Sequence, residues 1–320
     1  MPLTDRPTPR PIRHLGFAVK VLGTPGLKSN DARRWQSGPH LRVSIEYLAR
    51  IFEYCDGIDV RMYRMSSDIA PYATHPTMPQ FHDQVRECAD DLAALGARAR
   101  ELGLRLSLHP SQYIVLNSPN PAVARGSARD LEVQTEILDA MEQGPEATVI
   151  VHGGGGYGDK VAALDRFCRA WEGLSERARS RIAVENDEDI FSVEDTLGIH
   201  RRTGAKTIFD HQHHRLNPGT WSGREADAAN ASLATWPDGV TPKLHYSSPR
   251  LDAREVTRGG KAKPGAPLLS QHADYIDPWT FDAFARTLRR PVDVMLEAKA
   301  KDLALLRLRK DLAMLDAKIV

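Results

Sequence analysis

Eight side chains in this 320-residue chain could do chemistry together: His109, His152, Glu185, Asp210, His213, His245, His272 and Glu297. Neutral imidazoles and carboxylates are the ligands of Mn, Fe, Zn and Mg centres. Eight of them exceed the needs of one ion, so two or three divalent ions are expected. One histidine at the end of an apolar run is ordinarily a hydrogen-bonded neighbour. Here six successive runs each lead to a His, Asp or Glu, which core packing does not explain. Carboxylates gathered in one buried place without cations would also be costly.

The runs that must position these groups read as strands near 13–18, 59–64, 104–108, 147–152, 181–185, 206–210, 242–246 and 292–297. Helical spacing fills the intervals. Between 79 and 102, for example, Phe81, Val85, Cys88, Leu92 and Leu95 step by four and three along one face, and Gly103 ends the pattern. Strand and helix alternating eight times predict an α/β fold, a single-domain (β/α)8 TIM barrel over 13–320, with the leucine-rich end as its last helix. Such barrels carry their chemistry at the C-terminal ends of the strands, where the candidate ligands fall. Lys243 and His245 are two apart on one strand and so share a face. A lysine beside a metal cluster either pairs with a carboxylate or is carbamylated to become an oxygen ligand; both readings stay open.

Other features are less specific. His200, His211 and His214 read as solvent-facing or supporting, and His14, His40 and His82 have no motif around them. The run Gly153–Gly156, with Lys160 beyond it, is either a phosphate cradle or a turn. Residues 1–12 read as a flexible tail. Residues 247–271, with Arg250, Arg254, Arg258, Lys261 and Lys263 among glycines and prolines, read as a solvated loop or a phosphate-contacting lid. The net charge of +1 gives no global field for nucleic acid, so any polyanion must meet local basic groups, with Arg61 and Arg64 as further candidates. Hydrophobic residues at 41% support a sizeable core. Three scattered cysteines make neither a disulfide framework nor a thiolate site, and no segment has the apolar length of a membrane span. A soluble, cytoplasmic monomer is expected.

The segments RMYRMSSDIAP (61–71), LHPSQYIVLNSP (108–119), VHGGGGYGDK (151–160), VEND (184–187), IFDHQHH (208–214), KLHYSSP (243–249), HADYI (272–276) and MLEAKAKD (295–302) follow one another in an order that resembles the UV damage endonuclease family over nearly the whole chain. The resemblance implies a barrel enzyme that hydrolyses the DNA backbone immediately 5′ of UV photoproducts in duplex DNA, with abasic sites as a further substrate. It implies up to three divalent metals, Mn2+ favoured over Mg2+, Co2+ or Zn2+, held by the eight residues above. Lys243 matches the family's modified lysine, and Glu185 and Lys243 are assigned to the chemistry itself. Gln112 and Tyr113 match the pair that wedges into the duplex; Phe17 and His75 fall with them on the lesion side. Nucleoid association would follow from DNA binding.

The chain departs from the pattern at Ser111, where glycine is common, and at Phe17, which replaces a frequent lesion-facing tyrosine. Two other functions use the same barrel. A metal-dependent sugar isomerase or epimerase would explain the ligands but neither the Gln112–Tyr113 pair nor the basic segment. A barrel that binds damaged DNA without cutting it would not need every carboxylate.

Overall fold

Eight short parallel strands close into a barrel in the order β1-β10-β7-β6-β5-β4-β3-β2. The computed structural model describes residues 10–252, 254–258 and 261–317. The strands are β1 (Ile12–Ala18), β2 (Met62–Arg64), β3 (Arg105–Leu108), β4 (Thr148–His152), β5 (Ile182–Glu185), β6 (Lys206–Asp210), β7 (Lys243–Tyr246), β8 (Arg254–Arg258), β9 (Lys261–Gly265) and β10 (Val292–Leu296). β8 and β9 stand apart as an antiparallel pair, so the 247–271 segment contains a ribbon where a loop is expected. The helices are α1 (Leu41–Gly57), α2 (Gln84–Glu87), α3 (Ala89–Glu101), α4 (Pro121–Ala140), α5 (Lys160–Glu172), α6 (Glu176–Arg181), α7 (Val193–Thr203), α8 (His211–Leu216), α9 (Glu225–Leu233), α10 (Pro278–Ala285) and α11 (Lys301–Ala317).

All eight expected strands form, with adjusted edges. β2 starts at Met62 because Asp59 takes a left-handed φ of 52° in the turn leaving α1. The expected helix over 79–102 is interrupted: a 3-10 turn at Pro79–Phe81 and α2 precede a non-helical Cys88 (φ −109°, ψ 19°), after which α3 runs on. Gly103, at φ 60°, makes the left-handed turn into β3. Residues 10–12 do not belong to the expected N-terminal tail. Pro11 O accepts from Val292 N at 2.9 Å, and Arg10 is ion-paired to Asp282 and Asp316, which ties residues 10–12 to the barrel; residues 1–9 lie outside the described residues.

Strand alternation sorts the side chains. Leu15, Phe17, Tyr63, Leu106, Val149, Val184, Phe209 and Leu244 are buried in the main core, with helix residues such as Leu48, Phe52, Leu131, Phe167 and Leu305. Residues of the other parity form small separate clusters, Ile150 with Ala183 and Ile208, and Ala18 with Met62 and Met295, which fill the barrel. Gly16 is needed there: a Cβ on it would come within 2.7 Å of the Met62 side chain. The same parity carries Arg105, Lys243 and Asp293 at the strand starts, Arg105 ion-paired to Asp293 at 2.7 Å, and Glu185, Asp210 and His245 toward the strand ends. Among the described residues no helix is long and apolar enough to cross a membrane.

Candidate metal centre

Glu185, the last residue of β5 and fully buried, is the hub of the barrel mouth. His245 Nδ1 lies 2.6 Å from Glu185 Oε1, and His109 Nε2 lies 2.9 Å from Glu185 Oε2. His152 Nε2 and His213 Nδ1 stand further off, at 3.7 and 3.9 Å from the same carboxylate. Glu297, just past β10, approaches from the other side, 3.3 Å from His245 and 3.7 Å from His272. All eight expected ligands therefore lie at one mouth. Ligand atoms of His109, Glu185, His245 and Glu297 lie within 4.8 Å of one another, as do those of Glu185, Asp210 and His213. Glu185 belongs to both groups, as a carboxylate bridging two ions would.

The local sequence explains how Asp210 and His213 are held. Asp210 ends β6 and caps α8, its Oδ1 accepting from His213 N at 2.7 Å. Asn186, also fully buried, clamps the same turn: its Oδ1 accepts from Asp210 N at 2.9 Å and its Nδ2 donates to Asp210 O at 3.1 Å. Its own carbonyl meets His213 Nδ1 at 3.0 Å. Sequence reasoning singled out neither Asn186 nor the supporting role of Arg64. Arg64 is buried and ion-paired to Glu297, so it belongs to the centre and is not a free phosphate contact. Arg61 lies just before β2, at the N-terminal end of the barrel, paired with Asp56 and Asp59 at 2.6 and 3.2 Å. That removes it from the mouth.

The electrostatics are those of a site short of cations. Burial drives the Asp210 carboxyl upward, His213 opposing it and Glu185 and Glu297 adding to the rise. Burial also pushes Glu185 and Glu297 up. The histidines around Glu185, and Arg64 with His245 beside Glu297, reverse this and hold both well below the carboxylate range. Burial lowers His152 and His272, and lowers His245 to about 4, which favours the neutral imidazole that a metal needs. Lys243 is fully buried, and burial, with Arg64 and Arg105 nearby, pushes its ammonium far down. Its Nζ has no hydrogen-bond partner among the described residues, nor do Asp210 Oδ2, His152 Nδ1, His245 Nε2 and His272 Nδ1. Buried polar atoms are ordinarily satisfied, so this group of orphans fits a donor set built around ions.

A cleft of about 770 Å³ opens over the centre, walled by His109, Gln112, Tyr113, His152, His213 and His272, among others. Tyr113 is 77% exposed on the loop leaving β3. Phe17 does not join it: it is fully buried on the outward parity of β1, 5.3 Å from the Tyr63 ring, and faces the helices. It therefore presents nothing to a lesion. His75 is half-buried in the β2–α2 loop, 6.1 Å from the Tyr72 ring, and lies outside the walls of the cleft.

The glycine run is a held turn more than a cradle. Asn117, fully buried, donates to Gly155 O at 2.8 Å and accepts from Gly155 N at 3.2 Å, and a Cβ on Gly154 would strike its side chain at 2.2 Å. The LNSP and HGGGG segments are thus one joint. Lys160 is engaged with Asp195 at 2.6 Å. His211 and His214 are buried behind the mouth, not in solvent: His211 stacks on Tyr246 at 4.2 Å and His214 packs on Phe209 at 5.2 Å.

Fold and site together define a (β/α)8 barrel enzyme with two clusters of His, Glu and Asp at its strand ends that could hold metal ions. Residues 40–319 match the family model for UV-endonuclease UvdE, and the chain belongs to that family. Similar proteins include the UV DNA damage endonucleases of Bacillus velezensis, 32% identical over 276 residues (85% of this chain, 81% of that protein), and of Bacillus pumilus, 33% identical over 259 residues (80% and 76%). The crystal structure of SacUVDE superposes with a TM-score of 0.77 at 30% identity, covering 95% of this chain and 99% of that one. A D-psicose 3-epimerase structure, at 11% identity and TM-score 0.53 over 89% of this chain and 84% of its own, shares the barrel alone.

Proposed function

We propose that the protein is a metal-dependent endodeoxyribonuclease that hydrolyses duplex DNA immediately 5′ of UV photoproducts, abasic sites included in its range. The observation that carries this reading is Glu185 shared between two ligand groups beneath a cleft whose wall bears Gln112 and Tyr113. Divalent ions held there, Mn2+ by preference and two or three in number, would activate water and neutralise charge on the phosphoryl and leaving oxygens. Glu185, Asp210 and Glu297 supply the anionic ligands and the five histidines neutral ones, His213, which burial lowers but the carboxylates around it raise to about 10, giving up its proton as metal binds. Arg64 balances Glu297 from behind. The deprotonated amine favoured at Lys243 is the form that takes up CO2, so a carboxylated lysine adding an oxygen ligand fits the orphaned Nζ.

Opening a damaged pair costs less than opening a sound one, which gives selectivity. Gln112 and Tyr113 would fill the gap left by the extruded bases. The protein would act as a monomer in the reducing cytoplasm, on the nucleoid while bound, in keeping with three buried free cysteines. Incubation with Mn2+ and UV-irradiated or undamaged plasmid tests the reading: nicking confined to irradiated plasmid supports it, whereas retention without nicking, or no effect, would assign the barrel to binding or to other chemistry.

A further inference from the structure

The β8–β9 ribbon grows out of the metal centre. Its base is fixed where Pro249 bridges His272, with Arg250 N donating to Gln271 O and Ala273 N to Ser248 O, both at 2.8 Å. Gln212, the residue before His213, ties this base to α8: its Nε2 donates to Leu269 O at 2.8 Å and its Oε1 accepts from Ser247 Oγ at 2.7 Å. Two of the centre's histidines therefore share a frame with the root of the ribbon.

The register decides what the ribbon presents. Arg254 pairs with Gly265, Val256 with Lys263 and Arg258 with Lys261, while Glu255 and Thr257 pair with Pro264 and Ala262. Directly opposed residues share a face, and faces alternate along a strand. Arg254, Arg258, Lys261 and Lys263 thus fall on one face, and the other holds Glu255 and no cation. In a chain of net charge +1 this is a local concentration of four positive charges, on a ribbon about 14 Å from Arg254 to Arg258 at the usual strand rise. Each strand of DNA carries one phosphate per about 3.4 Å of helix axis, so a face of this length can meet more than one at once.

We propose that the β8–β9 ribbon is a duplex-gripping arm whose one-sided cationic face binds backbone phosphates beside the incision site, damaged or not. It rests on the endonuclease reading for its partner, and supplies the damage-independent part of the affinity. Cations on one face, with no aromatic among them, suit phosphates and not bases.

The test is anisotropy titration of an undamaged duplex and of the same duplex with one thymine dimer, over a range of salt. The combined variant Arg254→Gln, Arg258→Gln, Lys261→Gln, Lys263→Gln is compared with the parent and with Glu255→Gln. At about 0.9 unit of log–log salt slope per phosphate, the slope should fall by about 3 to 4 on both duplexes, leaving their affinity ratio unchanged. Glu255→Gln should keep the parental slope. A fall of less than about one unit, or a loss confined to the dimer duplex, overturns the proposal; an arm for an acidic protein would give the first result. Melting temperature checks that the barrel is folded in every variant. Plasmid nicking by the parent separates the two readings: a parent that nicks irradiated DNA while the slope stays put removes the arm alone. A slope that falls without any nicking removes the nuclease and keeps the arm.

Discussion

Arg64→Met should destabilise the metal-free protein and do so much less once metal is bound. The Arg64 and Glu297 side chains are 9% and 14% accessible, and their ion pair stands in a centre that also holds the buried carboxylates of Glu185 and Asp210. Removing one partner of a buried pair costs about 3–5 kcal/mol because the other charge is left uncompensated. With about 2.1 cal/mol/K of unfolding entropy per residue, a chain of this length loses roughly 5–7 °C of melting temperature. Metal ions at the carboxylates restore positive charge beside Glu297, so the gap between variant and parent should narrow in excess Mn2+. Replacing both partners, Arg64→Met with Glu297→Gln, should recover about 1–3 kcal/mol in a double-mutant cycle in EDTA. Thermal denaturation of the four proteins in EDTA and in Mn2+ makes the comparison. A single variant that melts with the parent in EDTA, or that loses as much with Mn2+ as without, would refute the charge-balance argument.

Glu185→Ala or Asp210→Ala should abolish nicking and reduce bound metal in elemental analysis, and either variant retaining full activity at limiting Mn2+ removes its residue from the centre. Gln112→Ala with Tyr113→Ala should leave metal content unchanged and weaken binding to dimer-containing duplex by about 1–3 kcal/mol per lost stacking contact at most, with abasic sites cut comparatively well; loss of metal would contradict this. Burial, with Arg181 and Arg105 adding to it, lowers Lys206 to about 8, below the ordinary 10.5 of the unfolded chain. Between those values the folded state has released a proton that the unfolded chain keeps, so Lys206 makes stability rise with pH through about 8 to 10. The parent should gain up to about 3 kcal/mol on Lys206→Met over that window in urea denaturation, and a pH-independent difference would rule this out.

Much of the centre was legible because the barrel converts sequence parity into position. His245 and Lys243, two apart, had to share a face, and ligand after ligand closed an apolar run. The same parity would have excluded Phe17. In LGFA the large residues Leu15 and Phe17 alternate with Gly16 and Ala18, and a packed barrel interior takes the small pair. Arg64 shares parity with Met62, so its inward course was readable, but its partner Glu297 is 233 residues away and no local pattern joins them. Asn117 and Asn186 were visible only as motif letters, since what they do depends on loops that meet in three dimensions. The ribbon was missed for a different reason: its strands carry cations where an apolar alternation is expected, and the Gly259–Gly260 pair between them was the one turn signal.

Incision of a 5′-labelled duplex carrying one thymine dimer tests the central claim most directly. With Mn2+ the account predicts a single labelled product ending at the nucleotide immediately 5′ of the dimer. The product should be absent in EDTA and with Glu185→Ala, and absent from the same duplex without the dimer. Incision that survives EDTA, or that falls equally on the undamaged duplex, would contradict it.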